Sequence, residues 1–343
     1  MKRWLIWLGM VISLAFLYVT VRGLPLTDAW TAVRTANYWW LIPGVAVYFV
    51  AVWARTWRWH YLLRPVKQIT LARLFPLVVI GYMGNNVYPA RAGEVIRAYV
   101  LKRKDDVDMS ASLATVAVER IFDGVVMLFF VFVALPFTPL PGNLRQVVVW
   151  ASLLFFGLLA VFFLLAAMPR RTQAIYNWFI DRLVPPRFRD QVRVILDRFM
   201  EGLSCLRSGR DVLMIFVTST VIWLTETVKY WFVMHGFQGM SVPFYGLMLM
   251  AAVVNLATTV PSAPGYVGTF DAPGIQVLKG YGVEAGLAGG YTAILHVALW
   301  APITLLGVYY MWRERVSWRD FDAAAEARSA EASVTPVEQL PEA

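Results

Sequence analysis

The sequence predicts an all-α polytopic membrane protein, built as an inverted-topology repeat with about six full spans and two re-entrant helical hairpins. Three observations carry that expectation. Hydrophobic residues make up 59% of the 343-residue chain and charged residues only 15%, with a mean hydropathy of +0.58. Several apolar runs approach or exceed the ~20 residues needed to cross ~30 Å of hydrocarbon. Lysine and arginine gather in alternate connecting segments, the mark of cytoplasmic loops.

In chain order, the apolar segments are 4–21, 38–54, 74–101, 110–135, 146–168, 212–234, 243–279 and 286–311. The first follows MKRW, is longer than a signal-peptide core and lacks a small-residue cleavage site, so it reads as a retained anchor. Residues 55–73 hold Arg55, Arg58, Arg64, Lys67 and Arg73, residues 91–104 hold five basic residues, and residues 169–211 hold nine arginines. Residues 22–37 hold two, 136–145 one and 235–242 none. The rich segments belong inside and the poor ones outside.

Segment 74–101 has basic residues on both sides, so a single crossing cannot join its flanks. Its centre, GYMGNNVYPARAGEVIRAY, offers the alternative: a helix over 74–86, a turn at NVYPAR and a return helix over 92–101. At 1.5 Å per residue those arms measure roughly 20 and 15 Å, too short to span. Segment 243–279 repeats the pattern around TTVPSAPGYVGTF, entered from the opposite face. Pro89, Gly93, Pro261, Pro264, Gly265 and Gly268 are the expected turn residues, since proline breaks a helix and glycine permits close approach. The result is one transmembrane domain over 1–320, with halves 1–135 and 146–312, cytoplasmic termini and an inner-membrane location. Broken helices meeting near the midplane are a transporter signature. The insertion 169–211 is cytoplasmic, and 185–207 reads as an amphipathic helix on the inner leaflet. The Ala- and Glu-rich tail 323–343 reads as disordered.

Charge inside membrane segments marks the candidate site. Glu119, Arg120 and Asp123 form ERIFD about 14 Å into their span, with Arg120 placed to pair with Asp123. A structural ion cluster and a transport site both fit this pattern. Arg91, Glu94 and Arg97 share one face of the first return arm. Arg91 sits deepest as a fork-shaped phosphate ligand, whereas Arg97 either joins it or snorkels to headgroups. Asn85 and Asn86 add polarity to the turn. Asp271 serves as a helix-terminal charge or a counter-charge for a headgroup or proton. Glu226 reads as deep and functional, Lys229 as snorkelling outward and His296 as a packing residue.

The composition excludes several classes. The longest polar stretch is 169–211, against the roughly 100 residues that extramembrane catalytic domains usually need. Cys205 is the sole cysteine, so no internal disulfide can form. No metal constellation, nucleotide loop or nucleophile–base pair is legible, so no metal, cofactor or enzyme activity is expected. The net charge of +9 reports loops facing anionic lipid, with no nucleic-acid partner.

With those residues in place, NNVYPARAGEVIRAYVL, AVERIFDGVV and VPSAPGYVGTFDAPGIQVL resemble, in order, the motifs of the lysylphosphatidylglycerol synthase transmembrane-region family of flippase-like proteins. The resemblance covers about residues 5–312. It places P-A-R-x-G-E on Pro89, Ala90, Arg91, Gly93 and Glu94, E-R-x-x-D on Glu119, Arg120 and Asp123, and the second turn on Pro264, Gly265, Gly268, Phe270 and Asp271. Tyr266 and Asp271 depart from a frequent glycine and glutamate. The resemblance implies the lipid-translocating part of such synthases without their cytosolic aminoacyltransferase domain. The expected function is therefore movement of a polar-headgroup phospholipid or isoprenoid-linked envelope lipid between leaflets. The expected partners are that charged lipid and a separate lipid-modifying enzyme. The alternatives are a membrane-embedded transferase and an accessory subunit of an envelope-lipid enzyme.

Overall fold

The computed structural model describes residues 3–88, 91–137, 168–203, 208–259 and 262–321, together with 150, 153, 156, 157, 160, 164 and 206. Pro89, Pro261, Cys205, the tail 323–343 and most of the expected span 146–168 lie outside the described residues.

Every regular element among the described residues is helical. α1 is Arg3–Arg22, α2 Leu26–Thr35 and α3 Leu41–Leu63. α4 (Leu71–Val87) and α5 (Ala92–Asp105) form a helix–break–helix unit, followed by α6 (Met109–Ala134). α7 (Pro169–Leu183) and α8 (Arg189–Gly202) occupy the polar insertion, and α9 runs Gly209–His235. α10 (Phe244–Ala257) and α11 (Asp271–Gly280) make the second broken unit, and α12 (Ala285–Arg313) completes the order.

Three of these stretches, 38–63, 209–235 and 285–313, are long and apolar enough to cross a membrane. Their outer faces are apolar: Ile42, Val50 and Trp53 on α3, Leu213, Val217 and Val221 on α9, Val297, Leu305 and Val308 on α12. Contiguous exposed apolar surface of this extent suits lipid, not water, as solvent. The chain is a membrane protein with its polarity turned inward.

The helices pack in matched sets. α3 lies along α9, and several other contacts come in pairs: α4 on α12 with α10 on α6, α5 on α6 with α11 on α12, α2 on α12 with α8 on α6. The two ends of each broken unit also lie close together. At one end, Lys67 Nζ donates to the Asp105 carbonyl at 2.5 Å and Arg73 pairs with Asp105 at 3.0 Å, joining the entrance of α4 to the exit of α5. Lys104–Glu314 and Arg103–Asp320 bring the exit of α12 to the same place. At the other end, the Tyr245 and Tyr281 rings, 6.1 Å apart, join the entrance of α10 to the exit of α11. There too the Asn37 amide donates to the Gly236 carbonyl at 2.7 Å.

The breaks have local causes. Tyr88 is extended (ψ 145°), as the residue before a proline is forced to be, and Arg91 caps α5 from the left-handed region at φ 53°. Ala263 is extended before Pro264, and Gly265 and Gly268 take φ 73° and 80°. Gly93 lets α4 and α5 touch: a Cβ there would stand 1.8 Å from the Gly81 carbonyl oxygen.

Three expectations change. α3 continues to Leu63, so Arg55 and Arg58 belong to a buried helix face and not to a cytoplasmic loop. Carboxylates on α6 and α9 hold them there. Residues 26–35 form a helix because α2 docks on α12 where Gly286 and Gly290 leave room, a Cβ on Gly286 lying 2.5 Å from Asp28. The amphipathic helix is shorter than 185–207, starting after the Pro186–Phe188 turn.

Gly93→Ala is expected to destabilise the fold by at least the ~1–3 kcal/mol typical of overpacking. Gly280→Ala, where the added Cβ meets nothing within 4 Å, should be neutral. Thermal unfolding of both variants in detergent checks this, and equal behaviour would contradict the close approach.

Candidate functional site

The site grows from Arg58, 1% exposed in the middle of the helical bundle. Its Nη1 donates to Asp123 Oδ1 at 2.6 Å and to Ser219 Oγ at 2.8 Å, and its Nε stands 3.9 Å from Glu119. Asp123 also accepts from Trp223 Nε1 at 2.8 Å and from Arg120 Nη1 at 3.4 Å. Glu119 receives Arg97, whose guanidinium lies 4.5 Å over the Trp59 ring. Arg120 Nε sits 3.0 Å from Glu94, and Arg91 stands 3.7 Å from the same carboxylate. α3, α5, α6 and α9 are thereby tied by one network.

A second cluster adjoins it. Glu226 on α9 pairs with Arg55 at 2.7 Å and with Lys229. Arg55 lies 5.5 Å from both the Tyr82 and Trp223 rings, and Lys229 lies 4.6 Å from the Tyr48 ring. Lys229 is 1% exposed and so does not snorkel: the carboxylate one turn earlier holds it inside. Arg97 is buried for the same reason, with Glu119 as its partner.

The two helix breaks meet over these clusters. Arg91 donates through Nη2 and Nε to the Thr258 carbonyl at 3.2 and 3.4 Å, linking the first break to the end of α10. Asn86 Nδ2 donates to Thr304 Oγ1 at 2.9 Å and to the Trp300 carbonyl at 3.3 Å, while Trp300 Nε1 donates back to the Asn86 carbonyl at 3.4 Å. Asn85 is buried nearby, its Oδ1 without a protein partner.

Asp271 heads α11, accepting from the Gly268 amide at 2.9 Å and lying 2.9 Å from His296 Nδ1. His296 Nε2 stands 2.6 Å from the Gly265 carbonyl, which can only accept, so Nε2 carries a hydrogen. Nδ1 faces the carboxyl at hydrogen-bond distance. His296 is therefore more than packing. Its position mirrors the first half: in both halves an acid in the first turn of the second short helix (Glu94, Asp271) pairs with a basic residue on the long helix that follows (Arg120, His296).

Between the clusters and the breaks lies a cavity of about 150 Å³, walled by Arg55, Tyr82, Asn86, Glu226, Tyr266 and His296 among others. Of the residues singled out from the sequence, the structure gathers Arg91, Glu94, Arg97, Glu119, Arg120 and Asp123 in one network, puts Asn86 and Glu226 in the cavity wall and Asp271 beside it. Arg55 and Arg58 were read as loop residues, Lys229 as snorkelling and His296 as packing. The signal for the arginines was present in VWARTWRWH, where both sit in an aromatic run that continues a span. Among the described residues, no group of three or more His, Cys, Asp or Glu is placed to hold a metal ion.

The chain matches the lysylphosphatidylglycerol synthase transmembrane region over residues 6–307. It belongs to that family. A UPF0104 membrane protein of Methanothermobacter thermautotrophicus is 24% identical over 315 residues, covering 87% of this chain and 91% of the relative. The UPF0104 membrane protein MJ1078 of Methanocaldococcus jannaschii is 24% identical over 226 residues, covering 65% and 90%. The glycosyltransferase AglD of Haloferax volcanii is 25% identical over 296 residues, covering 78% of this chain but only 47% of AglD. No solved structure matches the chain. In this family member, then, two of the three family-like motifs supply the ion network and the third supplies the second break.

Removing one partner of a buried ion pair strands the other. Arg58→Met should therefore cost about 3–5 kcal/mol of stability, and the double variant Arg58→Met, Asp123→Leu should lose clearly less than the two single losses summed. Chemical unfolding in detergent measures the cycle. Additive losses would contradict the pairing.

Proposed function

We propose that the chain carries a polar-headgroup lipid, a phospholipid or isoprenoid-linked envelope lipid, between membrane leaflets. The observation that carries this reading is the charged interior beneath two facing helix breaks. Charges at that depth are costly unless they face a wet cavity or one another, and here six basic side chains sit in two ion clusters, one of which walls a cavity through Arg55 and Glu226. The lipid enters the cavity by its headgroup while its chains stay in hydrocarbon. Arg91, Arg97 and Arg120 hold phosphate, Glu94, Glu119 and Asp123 set their positions, and the two halves rock about α3 and α9.

The topology belongs to the same proposal. The chain is an inverted repeat with about six spans and two re-entrant hairpins, set in the inner membrane with both termini cytoplasmic. The matched helix contacts support it, as do the Lys67–Asp105 and Tyr245–Tyr281 contacts that return each broken unit to its starting end. Without Arg55 and Arg58, the segment before α4 still carries Arg64, Lys67 and Arg73 for the cytoplasmic side. The protein acts as a carrier and not as an enzyme, driven by an ion gradient or the lipid gradient, and a separate enzyme modifies the lipid. The transferase alternative draws on the name of the Haloferax relative, of which this chain spans about half.

Proteoliposomes reporting headgroup exposure test the proposal. The wild type should move lipid, and Arg91→Ala and Glu119→Gln, each first shown to be folded by its melting curve, should move it at least about tenfold more slowly, a loss of ~1.4 kcal/mol in barrier terms. Equal rates in all three would remove the reading.

A further inference from the structure

A second cavity, of about 710 Å³, opens sideways between α1, α12 and the second break. Its lining is mainly apolar, with Asn86, Asp271 and His296 at the inner side, and it faces outward through Val297, 59% exposed, Val267, 41%, and Val87, 36%. It shares Asn86, Gly265, His296 and Trp300 with the 150 Å³ chamber. One wall thus separates a polar chamber from an apolar groove. The wall is latched by two hydrogen bonds, from the Asn86 side chain to the Trp300 carbonyl and from the Trp300 indole to the Asn86 carbonyl. That is the division of chemistry within a single lipid molecule.

The charges decide which lipid. The interior cations are Arg55, Arg58, Arg91, Arg97, Arg120 and Lys229, and the carboxylates facing them are Glu94, Glu119, Asp123 and Glu226. His296 and Asp271 pair with each other outside both clusters. The excess is two positive charges, one in each cluster: Glu226 holds both Arg55 and Lys229, and four arginines face three carboxylates around Asp123. An interior of low dielectric with unmatched positive charge favours an anion and repels a cation.

We propose that the two cavities form one binding site for a lipid with an anionic phosphate headgroup, the phosphate in the chamber and a hydrocarbon chain in the groove. The ligand crosses the Asn86–Trp300 wall, which opens for the headgroup. The proposal rests on the lipid-carrier reading and narrows it: cationic, aminoacylated headgroups are the disfavoured class.

Equilibrium binding to the purified chain in detergent tests it without measuring movement. The probes are phosphatidate, phosphatidylcholine and a cationic trimethylammonium diacyl lipid with identical acyl chains, plus inorganic phosphate. Phosphatidate should bind at least about tenfold more tightly than the other three. Val297→Trp fills the groove at an exposed position and should weaken phosphatidate binding about tenfold. Val308→Trp, on the same helix and 48% exposed outside the groove, should leave it unchanged. Cationic lipid binding as tightly as phosphatidate would overturn the anionic assignment. Inorganic phosphate matching phosphatidate, or Val297→Trp matching Val308→Trp, would overturn the joint site. Tight, charge-selective binding without movement between leaflets would instead remove the carrier reading and leave this site standing.

Discussion

The ion pair between Arg58 and Asp123 fixes the interior of this protein. In the middle of a bundle whose outer surface meets lipid, each unpaired charge costs about 2.5–3.5 kcal/mol on insertion scales, against a total stability of ~5–15 kcal/mol for a typical domain. Arg58 cannot be buried unless α6 presents Asp123 and α9 presents Ser219, and Asp123 also takes the indole hydrogen of Trp223. That requirement sets the rotation of three long helices at once. Glu119 and Arg97 extend the constraint to α5, and Glu94 and Arg120 lock the first turn of that short helix. A network of this kind gives little net stability over an apolar core. What it provides is one register for the bundle.

Glycine and proline supply the other half of the geometry. Broken helices are tolerated at membrane depth only where protein or water satisfies the freed backbone groups. Here the Thr258 carbonyl receives Arg91, the Gly265 carbonyl receives His296, and the Gly268 amide donates to Asp271. The side chains that occupy the site are also those that make the interruptions affordable. The Glu94–Arg120 and Asp271–His296 pairs stand at equivalent points of the two broken units, one with a permanently charged base and one with a base that can lose its charge. The two broken units thus carry the same kind of acid–base pair with different chemistry.

Much of this plan was legible in the sequence. The parity of basic loops around 74–101 exposed the first break, and the prolines and glycines of TTVPSAPGYVGTF exposed the second. ERIFD and PARAGE announced the ion network because charge inside an apolar run is conspicuous. Arg55 and Arg58 were hidden by their position: a basic pair at the end of a hydrophobic run looks like a loop, and only the carboxylates on α6 and α9, far away in sequence, draw it inside. Lys229 was misplaced by the same logic, since its burial depends on Glu226 accepting it. His296 has no nearby charge in sequence; its partners Asp271 and Gly265 are brought to it by the second break. Residues 26–35 were read only as part of a connecting segment, and their docking on Gly286 and Gly290 is a tertiary effect.

The account depends on the charged interior being wet enough to admit a headgroup. Solvent access at the chamber measures that directly, using single cysteines in a Cys205→Ser background and a membrane-impermeant thiol reagent on reconstituted vesicles. Asn255→Cys, in the chamber wall, is expected to react, and Leu305→Cys, 71% exposed on the outer apolar face, to stay silent. A silent Asn255→Cys alongside a reactive Leu305→Cys would mean that water bathes the outer face and not the chamber, and the account would fail.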